Sequence, residues 1–198
     1  VNTVAIVAVL GLALSAGPDQ VDGHLIAGAS AFREGRYDQA LVEFRVAQKL
    51  GAADAAAYAA AALVKLGRPE EALDAFGLEP STSDPLLDHY RAMACYDAKL
   101  YHCADRLLAR VATQGGPGMS EQAARTRAAI AAILRSEPST ETIDWYLARC
   151  TGAVSVRPHL APAYCKEAVD LAARRADAYG KARATEGLSR AQGKGAGR

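Results

Sequence analysis

An all-α fold of stacked antiparallel helical hairpins, closed by a capping helix and a C-terminal helical pair, is what this 198-residue sequence predicts. Three observations carry the prediction. The first is composition: 51% of the residues are hydrophobic but only 6% are aromatic. Alanine, the strongest helix former, supplies much of that apolar share, and β-branched residues thin out beyond the N-terminus. The second is a motif that recurs at a step of 32 residues. The third is punctuation, with Gly, Pro and Ser/Thr clusters falling between runs of helical periodicity. A formal net charge of +1 with 23% charged residues gives no broad electrostatic footprint, so neither nucleic acid nor an anionic membrane is an expected partner.

In chain order, Val4–Leu14 is an unbroken apolar run, too short for a bilayer span of about 20 residues. Its length and the small residues Ala13, Ser15 and Ala16 fit an export signal over residues 1–16, although no Lys or Arg precedes Arg33. With that signal removed no stable membrane span is expected, and the chain belongs in the periplasm or outside the cell. Read instead as an ordinary N-terminal helix, the run would leave the chain in the cytoplasm.

Residues 21–113 hold three units, about 21–52, 53–84 and 85–113. Their elbows read EGRYDQALVEF (Glu34–Phe44), LGRPEEALDAF (Leu66–Phe76) and AKLYHCADRLL (Ala98–Leu108). Gly35, Gly67 and Lys99 take the turn, and Tyr37, Pro69 and Tyr101 open the second helix. Ala40, Ala72 and Ala104 follow in register, and then Phe44, Phe76 and Leu108. Gly28, Ala60 and Ala92 are the matching small residues of the first helices, since two helices approach closely only where side chains are small. One hairpin cannot bury its own apolar face, so copies must stack. In the middle unit Gly77, Glu79 and Pro80 shorten the second helix and lengthen the connection.

Thr113–Ser120 breaks the pattern with Gly115, Gly116, Pro117 and Gly118. Residues 119–136 then read as an amphipathic capping helix. In the helical segment 137–190, Ser139 or Thr140 caps a helix that runs to the Arg157-Pro158 break, and a final helical pair follows. Residues 191–198, Gly-rich and basic, are expected to be disordered.

A small residue in the first helix followed by G-x-[YP]-x-x-A-x-x-x-F resembles the tetratricopeptide repeat family. The resemblance covers residues 21–113. It is specific in the first two units and weaker in the third, where Lys99 replaces glycine. The step of 32 residues is shorter than the family's, about 34. The resemblance implies a concave groove, lined by the first helix of each unit, that binds a peptide or helix of another protein. The positions carried over are Leu25, Ala29, Phe32 and Arg33 in the first unit and Ala57, Ala61, Val64 and Lys65 in the second. His89, Met93, Tyr96 and Asp97 follow in the third. Setting aside the alanines and Asp97 leaves the candidate partner-binding residues, with Phe32 and Tyr96 as aromatic anchors and Arg33 and Lys65 as positive points. The charged clamp with which the family's chaperone-tail binders grip a terminal carboxylate is missing. Leu25, Ala29, Tyr58, Leu86 and Tyr90 stand at its positions.

Of the four cysteines, Cys95 and Cys103 lie four residues on either side of Lys99, and Cys150 and Cys165 are placed evenly about Arg157-Pro158. Residues equidistant from the elbow of a hairpin face one another, so both pairs are disulfide candidates. An even count in an exported chain supports them; in the cytoplasm the same four would be buried thiols. His89, Cys95, His102 and Cys103 match no zinc spacing, and neither a metal nor a cofactor is expected. There is no nucleophile elbow, phosphate loop or H-E-x-x-H, so no catalytic residue is assigned.

The resulting expectation is a non-catalytic protein-interaction scaffold of the cell envelope. Two alternatives stay open. One is a structural subunit of an envelope assembly that uses the convex face or the C-terminal helices. The other is an enzyme around Trp145, Tyr146, Arg149 and His159, which requires convergent polar groups in a pocket within residues 137–190.

Overall fold

The computed structural model describes residues 18–79 and 84–195 and is helical throughout, with ten helices and no strand among the described residues. The expected leader 1–16, residues 80–83 of the long connection and residues 196–198 lie outside the described residues. Three hairpins come first: α1 (Pro18–Arg33) with α2 (Tyr37–Lys49), α3 (Ala55–Lys65) with α4 (Pro69–Phe76), and α5 (Pro85–Asp97) with α6 (Tyr101–Gln114). The second helices begin at Tyr37, Pro69 and Tyr101, where the repeat register places them.

The elbows share one hydrogen-bonded turn. Gly35, Gly67 and Lys99 have φ of 78°, 69° and 60°. At the first elbow the Gly35 amide donates to the Phe32 carbonyl at 3.1 Å and the Arg36 amide to Ala31 at 2.8 Å. The pairs Gly67 to Val64 with Arg68 to Leu63, and Lys99 to Tyr96 with Leu100 to Cys95, repeat it. These are the crossed bonds of a Schellman end, which satisfy carbonyls that the last helical turn leaves open. The same turn recurs where the sequence shows no repeat. Ala176, at φ 57°, donates to Ala173 at 3.2 Å, and the Asp177 amide donates to Ala172 at 2.8 Å. A left-handed alanine costs about 1–2 kcal/mol, so glycine is the usual residue there.

Close packing follows from the small residues. Ala40, Ala60, Ala72, Ala92 and Ala104 are fully buried. A Cβ on Gly28 would come within 2.6 Å of the Phe44 ring, so any larger residue would force that ring to shift where α1 settles on α2. α4 ends at Phe76 with Gly77 at φ 69°, giving the shortened helix expected of the middle unit. Inside the third hairpin Asp88 and Arg91 are buried as a 2.7 Å ion pair, with Arg110 on the other carboxylate oxygen at 3.4 Å.

α7 (Pro117–Arg135) packs along α6 as the cap. The last three helices, α8 (Thr140–Val156), α9 (Ala161–Arg174) and α10 (Ala178–Gly195), pack chiefly on one another. Ser139 caps α8 by accepting the Thr142 amide. α10 corrects the expectation of a disordered tail from residue 191, because helix continues to Gly195 and Ala191 is buried. Glycines at 193 and 195 lower helix propensity without breaking a helix already docked on α8 and α9.

Both cysteine pairs are bridged as the elbow symmetry predicts. Cys95–Cys103 joins α5 to α6 with Cα atoms 5.9 Å apart, and Cys150–Cys165 joins α8 to α9 at 4.6 Å. Gly187 brings α10 directly onto the second bridge, where a Cβ would lie 2.5 Å from the Cys150 sulfur.

Candidate functional site

The first helices of the three hairpins wall a small cavity of about 200 Å³ whose lining is almost wholly apolar. α1 contributes Ala29, Phe32 and Arg33. α3 contributes Tyr58 and Ala61, α5 contributes Leu86, Leu87 and Tyr90, and Phe44 reaches in from α2. Phe32 meets Tyr90 edge-to-face at 5.6 Å and Tyr37 at 5.3 Å, a geometry that favours aromatic pairs and fixes the ring directions. Leu86 is 46% exposed and Tyr58 37%, so both present apolar surface at the mouth of the cavity.

The residues carried over by the repeat register divide into two groups. Phe32 and Arg33 line the cavity. Lys65 stands beside it, its Nζ 5.6 Å from the centre of the Tyr90 ring. Ala29 and Ala61 line it as well, whereas Leu25, Ala57, Val64, His89, Met93, Tyr96 and Asp97 lie outside the lining. Val64 is buried, while Leu25, Met93 and Tyr96 are partly buried against the core. Tyr96 packs 5.8 Å from Tyr101 across the third elbow. His89 is half-buried with its ring 5.8 Å from Tyr90, and its Nδ1 is buried without a hydrogen-bond partner. Burial, and then the charge of Lys65, hold this imidazole below its ordinary pKa of 6.5. Tyr58, Leu86 and Tyr90 were legible as the positions where a charged clamp is replaced. Their meeting in one apolar cavity was not.

A second, polar assembly lies where α8 and α9 dock against the elbows of the second and third hairpins. Glu70, in the first turn of α4, pairs with Arg149 at 2.9 Å and Arg157 at 3.1 Å, and accepts the Tyr164 hydroxyl at 2.8 Å. Asp74 accepts from Arg157 at 3.0 Å and pairs with His159 at 3.1 Å. The Tyr146 hydroxyl donates to the Lys99 carbonyl at 2.6 Å. Trp145 takes the Lys99 ammonium at 4.6 Å and the Arg149 guanidinium at 5.2 Å from its ring centre. Glu167 of α9 is only 3% exposed and accepts the His102 amide at 2.8 Å. That amide is a first-turn donor of α6 with no helical partner, so Glu167 caps α6 from 65 residues away.

No family model, no curated protein and no solved structure matches this chain.

Function must then be read from the two assemblies themselves. In the cleft of about 320 Å³ lined by Trp145, Arg149, Arg157 and Tyr164, the polar groups converge on Glu70 rather than on open space. These contacts tie α8 and α9 to the first turn of α4. Among the described residues no group of three or more His, Cys, Asp and Glu side chains is placed to hold a metal ion. No described helix is long and apolar enough to cross a membrane. The cavity of α1, α3 and α5 differs from the joint in its almost wholly apolar lining, at which Leu86 and Tyr58 are partly exposed.

Proposed function

We propose that this chain is a non-catalytic interaction scaffold of the tetratricopeptide kind that takes a peptide or helix of a partner protein on the face of α1, α3 and α5. The observation that carries the reading is the apolar cavity to which three successive hairpins each contribute a first helix. Such a wall arises only from stacking, and an apolar pocket with rigid aromatic sides is where interface energy concentrates. The two cystines support an oxidising compartment, so the scaffold works in the periplasm or outside the cell.

Selection of a displayed peptide library on the purified, oxidised chain supplies the ligand for the test. Leu86→Ala removes a partly exposed cavity wall, and Tyr58→Ala removes a second one that also packs on the buried Phe44 ring at 5.6 Å. Each is expected to weaken the selected peptide about tenfold or more, by titration calorimetry, with an unchanged helical circular dichroism spectrum. Full affinity in both variants would place binding elsewhere.

A further inference from the structure

The occupant of the cavity can be specified by charge, resting on the groove reading above. We infer that the groove takes an acidic amphipathic segment, one apolar side chain entering the cavity while flanking side-chain carboxylates meet Arg33 and Lys65.

The argument begins with what surrounds the apolar walls. Arg33 lines the cavity and Lys65 stands over its Tyr90 wall, while no carboxylate lines it. Neither cation forms an ion pair among the described residues; the Arg33 Nε donates only to the Ala29 carbonyl of its own helix, at 3.4 Å. The adjacent carboxylate is already engaged elsewhere, since Glu34 accepts from Arg36 at 3.0 Å and from Ser30 at 2.9 Å.

Several other basic side chains of the stack meet a carboxylate. Arg68 is paired with Glu71, Arg106 with Glu79 and Arg127 with Asp105. The groove therefore carries two basic side chains at its border and no carboxylate in its lining, and Glu34, which senses the Arg33 charge, is held by Arg36 and Ser30. His89 registers that field, because the Lys65 charge adds to burial in disfavouring its imidazolium. Residence at helix C-termini accounts for a basic residue ending α1 and α3. It does not account for both of them bordering one apolar cavity that carries no counter-charge.

The test uses acetylated and amidated peptides, so that the only carboxylates are those of side chains. Three sets share one Leu or Phe anchor, flanked by Glu and Asp, by Gln and Asn, or by Lys. Each is titrated by fluorescence anisotropy against the full oxidised chain. The acidic set is expected to bind about tenfold more tightly than the neutral set, the gain that two solvent-exposed pairs supply. That advantage should shrink as salt rises toward 0.5 M, where screening is strong. Arg33→Glu with Lys65→Glu should reverse the order and favour the Lys set, and Leu86→Ala should weaken every set.

Equal binding of acidic and neutral peptides would overturn the charge assignment and leave the groove reading standing. Acidic binding that is indifferent to Leu86→Ala would overturn it too, because the attraction would then lie outside the cavity. Absence of binding by all three sets at millimolar concentration would overturn the groove reading beneath it.

Discussion

Reducing both cystines is expected to lower the unfolding free energy by about 5–6 kcal/mol, the sum of roughly 2.6 for the Cys95–Cys103 loop and 3.1 for the Cys150–Cys165 loop in the chain-entropy model. The whole stability of a domain is about 5–15 kcal/mol, so the loss is comparable with the total. The composition sharpens the dependence. A core built around Ala40, Ala60, Ala72, Ala92 and Ala104 buries little apolar area per side chain, so constraint of the unfolded chain matters more than in a leucine-rich stack. Urea melts with and without a phosphine reductant measure the effect, and paired Cys→Ser variants separate the two bridges. The Cys150–Cys165 variant should lose more, since its loop is longer and α10 rests on that bridge through Gly187. Coincident melts in both redox states, with four thiols titrated after reduction, would show that the bridges contribute nothing.

Glu167→Gln is expected to stabilise the chain at pH 8 by about 2–3 kcal/mol and to leave it nearly unchanged at pH 5. Burial between α6 and α9 pushes the Glu167 carboxyl up to about 7 from 4.5, against the opposing pull of the His102 amide. Asp170 raises it further, while Lys166 and Arg174 lower it; the His102 ring lies 3.7 Å away and Tyr101 and Tyr146 sense its charge. The folded chain thus holds a proton that the unfolded chain releases between pH 4.5 and 7. The stability this confers is complete below pH 4.5 and is lost as pH rises through 7. Glutamine keeps an acceptor for the His102 amide and removes the ionisation. Thermal melts from pH 5 to 8 should therefore be flatter for the variant. An equal loss of stability at every pH would instead show that the ionised carboxylate is the required cap of α6.

The hairpins were legible because close approach leaves a mark in sequence: Gly35, Gly67 and the small-residue columns recur at one step, and Phe44 and Phe76 fill the space below. Lys99 kept its place in that register although it is not glycine, and its φ of 60° shows why the register was the better guide. The elbow at Ala176 was invisible for the opposite reason. Alanine carries no signature of a left-handed turn, and no small-residue column accompanies it. Cystine pairing followed from symmetry about the elbows alone. The joint could not be read in that way. Glu70 looked like a simple N-terminal helix residue, and its partner Tyr164 lies 94 residues away. In the groove the register brought Phe32 and Arg33 to the cavity, whereas Met93 and Tyr96 pack against the core, since which side of α5 faces α3 depends on packing rather than spacing.

Hydrogen–deuterium exchange of the full oxidised chain, with and without a saturating selected peptide, locates the bound partner on the fold. Slowed exchange in α1, α3 and α5, centred on Phe32, Tyr58 and Tyr90, is the expected result. Protection confined to α8, α9 and α10, with the first helices of the three hairpins unchanged, would contradict a binding groove on the stack.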